Sequence, residues 1–449
     1  MKKNKIKKII VAVLSSVMVV SSLVGCGAKE NADGGSKEVV IDENKSPEDY
    51  KGTIDLWSFT DELKSAGIIE EFNKVYPNIE VKLTVVPMED NAYSTKLASV
   101  LGNGVGAPDV FTSEVAFVKR FSNLDYYEDL SQEPYNAEEL TSNMVEYTVD
   151  LGRNNEDNSI RALTWQACPG GIFYKKSLAK KYLGTDDPAE ISKMVSTMEG
   201  LIELGETIKE KSNGEAVLFP GYGELSNVAR GSREQPWVVD NKLVIDDKMM
   251  QYMDDAKVIR DKGLDAKATQ WSPEWSGAMA DDKTFAFLLP TWGLNYTIAG
   301  NAPDTKGDWG LATAPTPYYW GGTWIGMYKN SEKKDLAWQF VKFITSNDEY
   351  LETYGKKSGD FINNINVIEK FAACDDGNSE FLGGQNSYAM YKEMIPYING
   401  KLVTDYDETI NSKWDNAMDL YITGEMSKDE ALEFFKSEVQ SAYPEIEVE

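Results

Sequence analysis

Alternating and helical spacings of apolar residues follow one another in the first third of the chain. Apolar and polar residues alternate over residues 53–59 and again over 79–85, which predicts two strands. Between them, residues 61–76 place apolar side chains at helical intervals. A helix near 90–101 and a strand at 109–112 follow. The order strand, helix, strand, helix, strand is typical of a parallel α/β sheet.

The rest of the chain continues with strand and helix patterns and ends in a mainly helical region. Apolar runs predict strands at 162–165, 171–174, 216–219, 285–289, 309–312 and 322–329. Helical spacing predicts helices near 176–182, 195–211, 246–261, 331–346, 407–422 and 427–439. The chain is therefore expected to form a mixed α/β protein.

Two tryptophans flank a glycine pair in the stretch Trp320-Gly321-Gly322-Thr323-Trp324, just before one of these helices. Glycines let a backbone approach a ligand closely, and an indole offers a flat apolar surface with one N–H donor. This combination suits the binding of a sugar ring.

The N-terminus has the composition of an export signal. Five lysines in the first eight residues precede an apolar run at 9–20, which is too short for a stable membrane span. The run ends in Leu23-Val24-Gly25-Cys26, which resembles the bacterial lipobox and predicts a lipoprotein signal peptide at 1–25 with Cys26 as the lipidated residue. The alternative is an ordinary secretory signal with a chance cysteine. Residues 26–50 are then the lipidated cysteine and a flexible tether.

Charge and composition exclude several functions. The formal net charge of −27 gives no basic surface for nucleic acid. The chain contains no histidine, which excludes histidine-based catalysis and histidine metal sites. Phosphate-binding loops and paired-cysteine motifs are also absent from the sequence, so no cofactor and no metal is expected, although a calcium site built from distant loops stays open. Cys168 and Cys374 are expected to be free thiols, with a pairing left open.

Tryptophans are the strongest positive signal. Seven of the eleven fall at predicted strand ends or in loops, where a purely structural role is less natural: Trp57, Trp165, Trp271, Trp275, Trp292, Trp320 and Trp324. Asp61 and Glu114 follow the first and third predicted strands, at the edge where parallel sheets bind ligands. Indoles bind the apolar faces of pyranose rings, while carboxylates and amides bind the hydroxyl groups.

Several motifs together resemble one known family. The run from Gly321 to Tyr350, the segments 72–81, 102–111 and 169–178, and the stretch before Trp292 occur in the order seen in the family 1 extracellular solute-binding proteins, the sugar receptors of bacterial ABC importers. The resemblance covers about residues 52 to 440. The sequence departs from the family pattern at 282–287, where the register is less defined.

The resemblance implies an α/β fold of the periplasmic-binding-protein type, with two lobes, a ligand cleft between them and a helical C-terminal region. The N-terminal lobe is expected to comprise residues 51–160 and 293–345. The C-terminal lobe is expected to comprise 161–292 and 346–449. Carried over by position, it implies ligand contacts from Trp57, Asp61, Glu114, Tyr174, Trp292, Trp320 and Trp324.

The implied function is an extracellular receptor that captures an oligosaccharide between its lobes and delivers it to an ABC transporter permease, without catalysis. A monomer, held on the outer face of the cell membrane only by its lipid, is expected. Two alternatives stay open at this point. One is a cell-surface glycoside hydrolase with paired carboxylates. The other is a lipoprotein that only adheres to glycans.

Overall fold

The computed structural model describes residues 39, 41–42 and 44–448, and for Asp90 it describes the backbone alone. The predicted signal peptide and Cys26 lie outside the described residues. The end of the predicted tether differs from expectation, because Pro47–Asp49 forms a short 3-10 helix and Tyr50 is buried against Tyr76, with ring centroids 6.0 Å apart. The folded body therefore begins before residue 51.

Twelve strands are present in the described chain. They are β1 (Gly52–Ser58), β2 (Ile79–Val85), β3 (Val110–Glu114), β4 (Leu163–Thr164), β5 (Gly170–Lys175), β6 (Val238–Val239), β7 (Lys242–Leu243), β8 (Ala286–Pro290), β9 (Trp309–Ala312), β10 (Thr323–Met327), β11 (Asn378–Ser379) and β12 (Gln385–Asn386). The segment predicted as a strand at 216–219 forms only isolated parallel bridges, to Thr284 and Asp265.

Helices connect and cover the strands. They are α1 (Glu62–Ser65), α2 (Ile68–Val75), α3 (Ala92–Asn103), α4 (Val118–Asn123), α5 (Ala137–Thr141), α6 (Glu146–Gly152), α7 (Lys176–Leu183), α8 (Pro188–Met194), α9 (Met198–Lys211), α10 (Ser226–Ser232), α11 (Asp247–Asp261), α12 (Pro273–Gly277), α13 (Ala299–Asn301), α14 (Lys334–Ser346), α15 (Asp348–Ser358), α16 (Ile365–Ala372), α17 (Ser387–Met394), α18 (Asp407–Ile422) and α19 (Lys428–Ala442). A π-helix, Gly293–Ile298, follows β8. Among the described helices, none combines the length and the apolar character needed to cross a bilayer.

The first sheet has the strand order β2-β1-β3-β10-β4. Strands β1, β2 and β3 are parallel, which confirms the expected alternation of strands and helices, and β10 runs antiparallel to its two neighbours. Helices α2 and α14 pack together through the edge-on contact of Phe72 with Phe340, at 4.9 Å between centroids. This layer forms one lobe.

The second sheet has the order β8-β5-β9, with both pairings antiparallel. Successive side chains of β5 point to opposite faces, so Ile172 and Tyr174 belong to a core formed with α7, α9, α11, α18 and α19, while Phe173 belongs to the core of the other face. The sequence interpretation placed residues 309–312 in the first lobe. That was wrong, because β9 pairs with β5 over four residues.

The C-terminal region is divided between the lobes, in contrast to the expected assignment of residues 346–449 to one lobe. Helix α15 packs on α14 of the first lobe, where Tyr350 lies 4.8 Å from Phe343 between ring centroids. Helices α18 and α19 instead pack in the second core, where Trp414 contacts Phe435 at 5.1 Å.

Three segments cross between the two sheets, and together they are called the hinge below. Residues 165–169 run from β4 to β5, residues 313–322 return from β9 to β10, and residues 395–406 lead to α18. An isolated β-bridge between Pro169 and Tyr319 joins the first two crossings. The backbone N–H of Trp320 also donates a 3.1 Å hydrogen bond to the Cys168 carbonyl. Cys168 and Cys374 are both free thiols, as expected.

Candidate functional site

Four tryptophans meet beside the hinge and are called the tryptophan cluster below: Trp271, Trp275, Trp292 and Trp320. The rings of Trp271 and Trp292 are nearly parallel, with 13° between their planes and 6.1 Å between centroids. Trp320 meets Trp292 edge-on at 5.3 Å, and Trp275 contacts Trp271 at 5.1 Å. The sequence singled out each of the four separately, and the fold brings them together.

The backbone around the cluster is built for close approach. Trp271 has φ of +70°, a conformation that bulky residues rarely adopt and that marks a site held by its surroundings. At Gly321, with φ of +79°, a Cβ would lie 2.6 Å from the Trp292 indole nitrogen. That nitrogen donates a 3.0 Å hydrogen bond to the Trp320 carbonyl. The glycine pair therefore serves ring packing within the protein.

Exposure divides the cluster into a supporting ring and accessible rings. Trp275 is fully buried, and its indole N–H donates to the buried Glu224 carboxylate at 2.6 Å. Trp271 is 52% exposed, while Trp292 and Trp320 are half-buried. Tyr296, which is 76% exposed on the π-helix, meets Trp292 edge-on at 6.2 Å. Tyr296 was not among the residues predicted from the sequence. Its position four residues after Trp292 places both side chains on one face of a helix, and this spacing is the signal that could have identified it.

Carboxylates from the first lobe form a second polar group near the hinge. The Gln166 amide nitrogen donates to Glu62 Oε1 at 2.8 Å and to Asp360 Oδ2 at 2.7 Å. Burial, together with the neighbouring Glu62 charge, raises the pKa of Asp360 to about 7. Burial also raises the pKa of Glu62, against the hydrogen bond that Tyr354 donates to it at 2.8 Å.

A cavity of about 150 Å³ adjoins the cluster, and Trp320 is one of its lining residues. Glu114, at the end of β3, lines it from the first lobe, while Arg230 and Arg233 line it from the second. Glu114 is half-buried, and protein atoms enclose its carboxyl group. That burial raises its pKa to about 7, despite the N–H that Ala116 donates at 2.7 Å.

The remaining predicted residues lie elsewhere. Trp57 is half-buried at the end of β1, and the Lys96 ammonium lies 4.9 Å from the centre of its ring. Asp61 is exposed, and the carboxylate that contacts Gln166 belongs to the next residue, Glu62. The structure buries three others, so they contribute no ligand-facing ring: Trp165, Tyr174 and Trp324.

Local geometry explains why these three aromatic rings are buried. Tyr174 lies on the β5 face that packs into the second core, and its hydroxyl donates to the Asp186 carbonyl at 2.8 Å. Trp324 is central in β10, and its indole N–H donates to the Thr148 carbonyl at 2.9 Å. Trp165 is completely covered next to Glu62. In the described part of the chain, no grouping of three or more acidic or cysteine ligands that could hold a metal ion is found.

Comparisons with known proteins agree with this architecture. The chain is 24% identical over 366 residues to the arabinooligosaccharide-binding protein of Bacillus subtilis strain 168, covering 76% of this chain and 77% of that one. A crystal structure of a family 1 extracellular solute-binding protein superposes with a TM-score of 0.76 at 20% identity, covering 87% and 99% of the two chains.

A second structure is the galacto-N-biose/lacto-N-biose I-binding protein of the ABC transporter from Bifidobacterium longum, in complex with lacto-N-biose. It superposes with a TM-score of 0.70 at 16% identity over 89% of this chain and 99% of that chain. These structural similarities establish the two-lobed fold. The sequence match to the bacterial extracellular solute-binding protein family extends over residues 58–350, most of the chain. The chain therefore belongs to the bacterial extracellular solute-binding protein family.

Proposed function

We propose that this protein is an extracytoplasmic receptor that captures an oligosaccharide between its two lobes and delivers it to an ABC transporter permease. The observation that supports this most is the tryptophan cluster, whose accessible rings Trp271, Trp292 and Trp320 offer apolar surfaces at the hinge. Stacking of a sugar ring on an indole buries the C–H face of the sugar and leaves its hydroxyl groups free for hydrogen bonds.

The polar groups opposite the rings suit the hydroxyl groups of the same ligand. Glu114 ends β3 of the first sheet and lines the cavity beside Trp320, whereas Trp292 follows β8 of the second sheet and Trp320 lies in a hinge segment. A sugar held against both walls favours the closed arrangement, because only that arrangement lets it make both sets of contacts.

Contacts between the lobes already exist outside the cluster. The Asn295 amide donates to the Ser358 carbonyl at 3.0 Å, and Arg120 pairs with Glu408 at 3.4 Å. Hinge closure around a ligand is the motion expected of two lobes joined by three crossing segments.

Two of the relatives support an oligosaccharide as the ligand. One is an arabinooligosaccharide-binding protein, and another was crystallised with lacto-N-biose. We propose that this chain binds a neutral oligosaccharide of two or more rings and performs no chemistry on it. A lipid on Cys26 would hold the receptor on the outer face of the membrane beside its permease.

The test is a binding screen with two variants. Intrinsic fluorescence and calorimetry would be measured with arabinooligosaccharides of two to five rings, lacto-N-biose and maltotriose. Trp292→Ala should lose at least tenfold in affinity for the sugar that binds, about 1.4 kcal/mol. Phe434→Ala, which truncates a partly exposed aromatic ring on α19 outside the cluster, is the matched control and should keep the wild-type affinity.

Chromatography of the recovered sugar after long incubation distinguishes a receptor from a hydrolase. Intact oligosaccharide agrees with the proposal, and shortened products contradict it. Unchanged affinity in Trp292→Ala would remove the cluster from the binding site, and no binding to any sugar of the panel would refute the oligosaccharide assignment.

A further inference from the structure

One buried carboxylate lies behind the tryptophan cluster and bonds to two separate elements. Glu224 belongs to a short 3-10 helix, Tyr222–Leu225, and is 2% exposed. Its Oε1 accepts the indole N–H of Trp275 at 2.6 Å, and its Oε2 accepts the backbone N–H of Leu288 at 2.7 Å. Since Trp275 lies on α12 and Leu288 on β8, this side chain connects the helix to the strand.

Each of these two elements supports an accessible ring of the cluster. Trp275 contacts the Trp271 ring at 5.1 Å between centroids, and it also meets Phe287 of β8 edge-on at 5.8 Å. Strand β8 ends two residues before Trp292. The nearly parallel rings of Trp271 and Trp292 are therefore held from two different elements, and Glu224 is bonded to both.

The Trp271 ring depends on its aromatic neighbours for its position. Its backbone has φ of +70°, and its side chain is 52% exposed. The ring meets three other indoles, of which Trp275 is the one that is fully buried, while Trp292 and Trp320 are half-buried. Trp275 is thus the firmest support of the exposed ring, and its own orientation is set by the bond to Glu224.

A carboxylate is the side chain that suits both donors at this position. When it is ionised, each of its two oxygens accepts one N–H, whereas the amide nitrogen of a glutamine would face one of the two donors with hydrogens of its own. Burial raises the pKa of Glu224 to about 7, against the hydrogen bonds from Trp275 and Leu288. Because a buried charge is costly unless it is hydrogen-bonded, the two bonds and the charge depend on each other.

We propose that Glu224 is a positioning residue for oligosaccharide binding, which holds Trp275 against β8 and thereby sets how the rings of Trp271 and Trp292 face the ligand. This inference rests on the proposed function and deepens it, because it assigns part of the affinity to a side chain that is covered by protein and does not itself touch the sugar.

Two variants break the connection through Glu224 and keep side chains of similar shape. Glu224→Gln replaces one acceptor oxygen by an amide nitrogen. Trp275→Phe keeps an aromatic ring and removes the indole N–H. The matched control is Ser212→Ala at the end of α9, because it also removes a buried hydrogen bond from the second lobe, the one that the Ser212 hydroxyl accepts from the Ala216 N–H at 3.0 Å.

Calorimetric titration at pH 8 with arabinotriose, lacto-N-biose and maltotriose measures the effect on affinity. For the sugar that binds, Glu224→Gln and Trp275→Phe should each lose about tenfold, the order expected for one lost hydrogen bond to a charged group. Ser212→Ala should keep the wild-type affinity. Thermal unfolding without sugar checks that the variants are folded, and if Glu224→Gln does not fold, the affinity of Trp275→Phe decides.

Circular dichroism and a double variant separate positioning from a general structural role. In the near-ultraviolet spectrum without sugar, Glu224→Gln should change the indole bands that closely spaced rings produce, and Ser212→Ala should not. In a Trp271→Ala background, Glu224→Gln should cause little further loss of affinity, because a ring that it positions is already gone. An unchanged spectrum, or the same tenfold loss in that background, would overturn the proposal.

The outcomes also distinguish this inference from the proposed function. If Trp292→Ala weakens binding while Glu224→Gln and Trp275→Phe bind like the wild type, the positioning role is refuted and the receptor function stands. If no sugar of the panel binds the wild type, the proposed function falls, and the positioning role falls with it.

Discussion

The buried pair Glu62 and Asp360 predicts that the folded protein gains stability as the pH falls from 8 to 5. Burial and the Glu62 charge raise the pKa of Asp360 to about 7, from 3.8 in the unfolded chain. Between these two values the folded state binds more protons than the unfolded state, so a lower pH favours the folded state. The raised pKa of Glu62 acts in the same direction.

The size of the effect follows from the Asp360 shift. A difference of about three pKa units corresponds to about 4 kcal/mol at about 1.4 kcal/mol per unit. Roughly 2–3 kcal/mol of it should appear between pH 8 and 5, because the unfolded-state carboxyl is still mostly ionised at pH 5. Below pH 5 the gain in stability should end, because carboxylates whose pKa is lowered by a salt bridge become protonated and lose that interaction. Glu138, which pairs with Arg153, is one of them.

Urea unfolding monitored by tryptophan fluorescence at pH 8, 7, 6 and 5 would measure the effect. Asp360→Asn removes the titrating group. As the pH falls from 8 to 5, the free energy of unfolding of this variant should therefore rise by roughly 2 kcal/mol less than that of the wild type. Asp304→Asn, at an exposed position, is the matched control and should follow the wild-type curve. Parallel curves for wild type and Asp360→Asn, or a wild type that loses stability towards pH 5, would refute the reasoning.

Three further predictions concern other parts of the chain. Asp407→Ala leaves the buried Arg233 charge unpaired and should cost about 3–5 kcal/mol in urea unfolding; a loss below 1 kcal/mol would contradict the pairing. Gly326→Val should cost at least about 1–3 kcal/mol by the same assay, because even a Cβ would lie 2.5 Å from the Arg161 carbonyl oxygen. Cys26→Ser should move the protein from the detergent phase to the aqueous phase of extracted cells, and retention in the detergent phase would contradict lipidation.

Local pattern was enough for most elements of the first lobe. Alternation predicted β1 and β2, and the helical spacing before β2 predicted the region of α1 and α2 as one helix. The structure interrupts that helix at Gly67, which has φ of +81°. A glycine inside an apolar spacing that is otherwise helical does not disturb the periodicity, so the break could not be read from the pattern.

Strand partners could not be predicted from periodicity where a strand is buried on both faces. Every residue of β9 is buried, and its sequence Trp-Gly-Leu-Ala contains no polar position that marks a solvent face. Nothing in such a segment specifies which sheet it joins. The pairing with β5 depends on contacts more than 130 residues away along the chain, which is why the crossing was expected too early.

The candidate site shows the same limit at the level of single side chains. Loop positions favoured Trp271, Trp275, Trp292 and Trp320, of which Trp271 is exposed, Trp292 and Trp320 are half-buried and Trp275 is buried. A tryptophan at a strand end can also be buried if its N–H finds a backbone acceptor, as Trp324 does on Thr148. Asp61, expected as a ligand contact, is exposed just before α1, whereas the next carboxylate, Glu62, accepts a hydrogen bond from the Gln166 amide.

The site proposed above has one wall beside each sheet, and this arrangement has a consequence for specificity. Trp292 follows β8 of the second sheet and Trp320 lies in a hinge segment, whereas Glu114 ends β3 of the first sheet. A molecule that only stacks on Trp271 has nearly the same contacts in the open and closed arrangements, so it cannot shift the balance between them. A sugar whose hydroxyl groups also bond to Glu114 gains contacts only on closure. Apolar aromatic compounds should therefore quench the indole fluorescence without closing the lobes, whereas oligosaccharides that meet both walls should produce the compact form, a difference that small-angle scattering measures directly.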